Sequence, residues 1–223
     1  MESKGKIIVL EGIDGSGKSA QYRKLCARLQ SEGVNFRSVE YPRYSEETSS
    51  LIRMYLAGQF GENPNDVNPY ASSIFYAVDR YASFMTDWKD YYRGGGLMLL
   101  DRYTTSNAVH QGAKLPEGEQ PAFFDWLYDL EYGELGLPEP DLVIYLEVDL
   151  ETSMARTRHR QEKTGKARDI HERDRAYLLR CIETGERAAL HYGWRRVALK
   201  KDGEIRALDE KHEEIFSAVR AVL

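Results

Sequence analysis

Residues 10–21, LEGIDGSGKSAQ, constrain the fold of this chain more tightly than any other stretch. KIIVL at 6–10 is a short apolar run rich in β-branched residues and bounded by glycines, the pattern of a strand buried on both faces. From Ser19 onward Tyr22, Leu25, Cys26 and Leu29 recur at helical spacing, and Gly33 stands where a left-handed C-terminal cap is wanted. Between the two, Gly12 to Ser19 completes the pattern G-x-x-x-x-G-K-[ST]. Strand, glycine loop and helix in that order turn backbone N–H groups toward one concave spot at a helix N-terminus, where the macrodipole adds to the attraction for anions. The expected ligand is a nucleoside triphosphate held by Gly12, Asp14, Gly15, Ser16, Gly17 and Ala20. Lys18 reaches its β- and γ-phosphates, and the Ser19 hydroxyl holds a magnesium ion. A glycine-rich turn bearing an ordinary surface lysine is the bland alternative, and the strand-before, helix-after context disfavours it.

Four more segments, VNFRSVEY at 34–41, LMLL at 97–100, LVIYLEV at 142–148 and RRVAL at 195–199, read as strands. Helical patterns occupy about 70–90, 104–112, 121–131, 150–160, 170–190 and 208–222. Asn68 and Pro69 supply the N-cap and first residue of the 70–90 helix, whose Ile74, Ala77, Val78, Tyr81 and Met85 line one apolar face. Strands alternating with helices predict an α/β fold: a five-stranded parallel sheet with helices on both faces and ligands gathered at the carboxyl ends of its strands. Gly94-Gly95-Gly96 and LPEGEQP read as loops rather than linkers, so one domain is expected over residues 1–223.

Composition narrows the partners. The formal net charge of −5 argues against a general nucleic-acid binder, although arginines crowd 156–180 and point to a local anion site. No apolar stretch approaches the roughly 18 residues of a membrane span. The opening MESKGKIIVLEG has no apolar leader pattern, which leads us to expect a cytoplasmic protein. Cys26 and Cys181 fall inside helical patterns and read as reduced packing residues. His159, His171, His191 and His212 have no metal-ligand spacing, and no Ser-His-Asp arrangement is visible, so neither zinc nor a covalent intermediate is expected.

A phosphate loop alone leaves open a nucleotide switch or motor and a phosphoryl-transfer enzyme. The guanine-reading sequence N-K-x-D is missing, which weakens the switch. LLDRYTTSNAVHQG places Asp101, Arg102 and Tyr103 directly after the third strand; YPRY at 41–44 ends the second, and FYAVDR at 75–80 lies on the helix opened by Pro69. With the phosphate loop these pieces resemble thymidylate kinases, which transfer the γ-phosphoryl of ATP to dTMP and belong to the P-loop nucleoside monophosphate kinase fold. The resemblance runs along nearly the whole chain, to a short basic lid at about 156–169.

That resemblance implies roles for particular residues. Asp14 meets the acceptor sugar's 3′-hydroxyl, and Arg102 clamps the acceptor phosphate with its planar fork. Asp101 helps Ser19 organise magnesium, or else caps the helix that follows. Tyr76 stacks on thymine where the family usually has phenylalanine, with core packing as its alternative, and Phe75 is a core residue. Arg80, four residues on, reaches a base carbonyl. Arg43 and Tyr44 belong to the acceptor site, although a surface ion pair suits Arg43 equally. Asn107 lies near the base and Gln111 at the base or sugar. His110 stands where the family commonly has tyrosine against C2′, so looser exclusion of ribonucleotides is expected.

Gly15 and Ser16 replace an arginine that some members carry in the loop, so the catalytic arginine is expected from the lid. Arg156 is assigned to the ATP side, and Arg160 and Arg168 to the transferred phosphate; a solvated basic helix is the alternative for each. Asp169 and Glu172 follow the lid as an acidic pair for magnesium-bound water or the acceptor sugar, or for local ion pairs. The resemblance also implies a homodimer through long helices including 70–90. The adenine site is expected near 200–205, after the fifth strand. The rival readings are another nucleotide or deoxynucleoside kinase, and a P-loop binding module without turnover.

Overall fold

The computed structural model describes residues 4–164 and 174–223. Five strands, β1 (Lys6–Glu11), β2 (Phe36–Glu40), β3 (Leu97–Asp101), β4 (Leu142–Glu147) and β5 (Arg195–Ala198), form one parallel sheet in the order β2-β3-β1-β4-β5. Successive side chains point to opposite faces, and both faces are covered. Ile8, Leu10, Leu99 and Ile144 pack against Leu25 and Leu29 of α1 (Lys18–Ser31) and Ile215 and Phe216 of the last helix, α9 (Leu208–Val222). Ile7, Val9, Met98 and Leu100 face Trp88 and Tyr92 on the other side. Tyr145 meets Tyr177 and Cys181 of α8 (Arg175–His191) there. Each fully buried aliphatic side chain contributes about 1.5–3 kcal/mol.

The remaining helices are α2 (Ser50–Leu56), α3 (Pro69–Ser83), α4 (Lys89–Arg93), α5 (Thr105–His110), α6 (Gln120–Tyr128) and α7 (Leu150–Thr164). A two-stranded hairpin, β6 (Lys200–Lys201) and β7 (Glu204–Ile205), precedes α9. The helix expected over 70–90 is interrupted: α3 runs into α4 through a wider turn at Phe84–Trp88. Its apolar face also points the other way from a core stripe. Of the five residues on it, Ala77 is buried, whereas Ile74, Val78, Tyr81 and Met85 are 40–47% exposed. The buried face carries Ser72, Ser73, Asp79, Arg80 and Ser83 instead. Such a polar inner face is stable only if each group finds partners, and α3 meets them at the site.

Leu10 is level with Asp101 across β1 and β3, and Glu40 with Asp101 across β2 and β3. The loops leaving three neighbouring strands therefore open at one edge of the sheet, the crevice where α/β folds bind ligands.

Candidate active site

The phosphate loop is shaped by its glycines and by α7. Gly15 has φ +80°, and a Cβ there would lie 2.5 Å from the Ser153 carbonyl oxygen, so only glycine fits. Gly17, at φ +92°, delivers the chain into α1. Ser153 Oγ donates to Asp14 O at 2.7 Å and Arg156 Nη1 donates to Gly15 O at 3.2 Å, which pins the first turns of α7 to the loop. Lys18, the first residue of α1, is buried and donates to the Asp101 carboxylate at the end of β3. Burial and the nearby Arg102 lower the Lys18 pKa, and Asp101 opposes them.

Arg102 adopts φ +68°, a left-handed conformation that costs a non-glycine residue about 1 kcal/mol or more. Its N–H donates to Leu10 O at 3.0 Å, tying the turn to β1. The side chain then reaches back over the phosphate loop. Nη1 lies 3.2 Å from Glu11 Oε1, 3.3 Å from Ser106 Oγ and 3.3 Å from His110 Nε2, and Nη2 lies 3.6 Å from Asp14 Oδ1. Glu11 is completely buried. Burial pushes its carboxyl pKa up, but Arg102, Ser106 and Thr105 outweigh that and hold it below its ordinary value. Its oxygens accept from Gly12 N–H at 2.8 Å and from the Thr105 and Ser106 hydroxyls at 2.6 Å each. Asp14 follows the same logic: burial raises its pKa, and Arg102 and Arg160, the latter 3.6 Å away, bring it down. Burial and the charge of Arg102 press His110 the other way, to about 4, so its ring is neutral at pH 7.

A cavity of about 430 Å³ opens over these groups. One end is cationic, with Lys18, Arg102 and Arg160 around Asp14, Ser19 and Tyr44; the other is lined by Tyr76, Arg80, Asn107 and Gln111. At that far end the polar groups are fixed before any ligand arrives. Arg80 and Glu131 form a buried two-pronged ion pair, Nε to Oε2 at 2.6 Å and Nη2 to Oε1. Asn107 spends both amide hydrogens, on Ser73 O at 3.1 Å and Glu131 Oε1 at 3.2 Å, which leaves Oδ1 as an acceptor for the cavity. Gln111 accepts at Oε1 from Ser72 at 2.7 Å, which leaves Nε2 as a donor. The wall thus offers guanidinium, amide oxygen and amide nitrogen: donor, acceptor, donor.

The sequence-predicted residues divide as follows. Asp14, Lys18, Ser19, Tyr44, Tyr76, Arg80, Arg102, Asn107, His110, Gln111 and Arg160 line this one cavity. Gly12, Gly15, Ser16, Gly17 and Ala20 form the loop and the start of α1 beside it, and Asp101 stands behind Lys18. Arg156 faces the loop rather than the cavity wall. Arg43 does not line the cavity: its guanidinium pairs with Asp87 and lies 3.5 Å from Asp79. Phe75 packs at the edge of a small cluster with Tyr55 and Val67. Arg168, Asp169 and Glu172 lie outside the described residues. Sequence reasoning missed Glu11 and Glu131. Glu11 carried a signal, an acid ending an otherwise apolar strand, whereas Glu131 sits in no motif.

A second cavity, about 480 Å³, lies between α6 and the starts of β4 and β5. It shares no residue with the phosphate loop or with the first cavity. Among the described residues no group of three or more His, Cys, Asp or Glu side chains is arranged to hold a metal, and no helix is long and apolar enough to cross a membrane. Both cysteines are free thiols.

Comparison with known proteins gives one answer. The family model described as thymidylate kinase matches residues 10–192. A thymidylate kinase of Mycobacterium tuberculosis is 34% identical over 170 residues, 75% of this chain and 78% of that protein. The human thymidylate kinase is 31% identical over 147 residues, 66% of this chain and 63% of its own length. Among solved structures, a thymidylate kinase from Candida albicans superposes with a TM-score of 0.70 at 19% identity, covering 98% of this chain and 92% of that one. One from Ehrlichia chaffeensis gives 0.66 at 19% identity, covering 97% and 99%. At that identity the structural likeness speaks for the fold, a P-loop nucleoside monophosphate kinase architecture.

Proposed function

The chain belongs to the thymidylate kinase family, and from that premise we propose that it is a dTMP kinase, transferring the γ-phosphoryl of ATP to dTMP to give dTDP and ADP, and that its residues divide the work as follows. An oxygen of the dTMP phosphate attacks the γ-phosphorus; that P–O bond forms as the bond to the β-phosphate oxygen breaks and ADP leaves. The phosphate is already a nucleophile, so the protein's task is in-line positioning and positive charge. Arg102 holds the acceptor phosphate, while the loop amides and Lys18 hold the donor, Lys18 exchanging Asp101 for the β- and γ-phosphates. Arg156 stays with the loop on the ATP side, and Arg160, with Arg168, meets the transferred group. The observation that carries the reading is that Lys18 and Arg102 open onto one cavity.

The far end of the cavity suits the thymine edge. O4, N3–H and O2 present acceptor, donor and acceptor, the complement of Arg80, Asn107 Oδ1 and Gln111 Nε2. Cytosine carries a donor at position 4 and an acceptor at N3, so it meets two like groups, each costing about 1–3 kcal/mol. Tyr76 supplies a ring face for the base, Tyr44 and Asp14 flank the sugar and phosphate, and His110 faces the sugar. Glu172 is assigned to the acceptor side as well.

Magnesium fits the residues present. The Ser19 hydroxyl and Asp101 carboxylate are hard oxygen donors, too few for a protein cage and suited to an ion that keeps water and phosphate ligands. Bound there, the ion supplies positive charge to the donor phosphates. We also propose that the chain acts as one domain closed by a short lid, in the cytoplasm, where free thiols such as Cys26 and Cys181 persist, and as a homodimer. The exposed stripe of Ile74, Val78 and Tyr81 on α3, continued by Met85 in the wider turn that follows, supports the dimer; the hairpin at 200–205 is the proposed adenine side.

A coupled ADP-release assay with dTMP, dUMP, dCMP, dGMP and thymidine tests the reading. dTMP is expected to stimulate release most strongly. Release unresponsive to any acceptor, or a preference for thymidine itself, contradicts it.

A further inference from the structure

Gln111 ends a hydrogen-bond relay that begins outside the cavity. Lys114, in the turn at Gly112–Lys114, donates from Nζ to Ser72 Oγ at 3.0 Å and to Val67 O at 3.1 Å. Ser72 in turn donates to Gln111 Oε1 at 2.7 Å, the shortest of its contacts with three acceptors, and both residues are buried. An ammonium has hydrogens but no lone pair, so toward Lys114 the serine oxygen must accept, and its single hydrogen is left to point elsewhere. The positive charge also favours the oxygen end of the Gln111 amide on its side. Nε2 is thereby turned to the cavity.

We propose that Lys114, acting through Ser72, is a positioning residue for the acceptor base: it locks Gln111 so that Nε2 donates to the O2 carbonyl of the pyrimidine. The inference rests on the dTMP kinase reading above and adds to it the residues that set one edge of the base site. Without the ammonium, Ser72 can give its hydrogen to Asn68 O at 3.0 Å or Pro69 O at 3.3 Å. The amide is then free to turn over and set an oxygen against O2. Burial lowers the Lys114 pKa to about 7, and the Cys181 thiol of α8 works against that shift. Besides Ser72 and Val67, the face of the Tyr55 ring on α2 lies 4.9 Å from Nζ.

The test compares dTMP with its 2-thio analogue, whose sulfur is a poor acceptor, in steady-state kinetics of the full chain at pH 6.5, on the side of the lowered Lys114 pKa that favours the ammonium. Wild type is expected to prefer dTMP by about tenfold in kcat/KM, the worth of one hydrogen bond. Ser72→Ala and Lys114→Met are expected to raise KM for dTMP about fivefold, to leave kcat within about twofold, and to bring the preference for oxygen over sulfur close to one. Should Lys114→Met fail to fold, as thermal melting reports, Ser72→Ala carries the test with the loss of a single hydroxyl. Variants that keep the wild-type KM and sulfur sensitivity, or that lower kcat and kcat/KM together, overturn the positioning role. A wild type indifferent to sulfur overturns it too. A wild type that does not phosphorylate dTMP overturns the kinase reading itself and this inference with it.

Discussion

Arg102 Nη1 stands 3.2 Å from Oε1 of Glu11, a completely buried carboxylate one residue before the phosphate loop. Glu11 ends β1 and Arg102 follows the end of the neighbouring β3, so the pair couples the donor loop to the acceptor clamp. Glu11 has four donors around its two oxygens. Glu11→Gln sets an NH₂ against at least one of them and removes the charge facing Arg102. A loss of about 1–3 kcal/mol in stability and roughly tenfold or more in kcat/KM is expected. Chemical denaturation and steady-state kinetics measure both, and a variant that loses neither shows Glu11 to be incidental.

His110 makes stability depend on pH. Its folded pKa of about 4 lies below the ordinary 6.5, chiefly through burial and then through Arg102. Between those values the unfolded chain takes up a proton that the folded chain refuses, so stability falls as pH drops from about 6.5 to about 4 and this contribution is whole above 6.5. His110→Gln keeps an acceptor for Arg102 without the titration. The difference in melting temperature between wild type and variant is expected to change across that window, and parallel curves contradict the assignment.

Arg43 is expected to act through structure. Asp79 is buried, accepts from Arg43 N–H at 2.9 Å and from Thr48 Oγ1 at 2.6 Å, and has the Arg43 guanidinium 3.5 Å away. Arg43→Ala takes the charge partner from that carboxylate, for a loss of about 1–3 kcal/mol. Its kcat/KM is expected within about fivefold of wild type, against a loss of a hundredfold or more for Arg102→Ala. Unchanged stability with a sharply raised KM for dTMP places Arg43 at the acceptor after all.

The stripe on α3 gives the dimer its test. Ile74 and Val78 are one turn apart and nearly half exposed. Ile74→Glu with Val78→Glu puts two like charges at the centre of the proposed interface. Sedimentation is expected to show wild type as a dimer and the double variant as a monomer at micromolar concentration. A wild-type monomer rules the interface out.

How much of this was legible in the sequence depended on the distance over which the information is carried. The phosphate loop is a local object, and its context of strand and helix is readable within residues 6–33. The centre of the sheet was legible because β1, β3 and β4 are buried on both faces and therefore read as continuous apolar runs, whereas the edge strands β2 and β5 are largely exposed and carry charged residues. The direction faced by α3 was not. Periodicity reports that an apolar stripe exists on one side of a helix, but Ser72, Asp79 and Arg80 face inward because residues far along the chain, Gln111, Arg43 and Glu131, supply their partners. The same distance hid Glu11, whose hydroxyl donors lie 94 and 95 positions away. The left-handed backbone of Arg102 has no signature, since the residue is not a glycine. Motifs thus named the groups that touch ligand, and the buried residues that aim them emerged only from the fold.

Lys18 and Arg102 working on one bound pair of substrates can be checked by titrating dTMP into the ATP reaction of wild type and Arg102→Ala, with ATP binding measured separately for each. Wild type is expected to release ADP in strict dependence on dTMP, and Arg102→Ala to bind ATP normally while losing a hundredfold or more of the dTMP response. An Arg102→Ala enzyme whose dTMP response matches wild type contradicts the shared site.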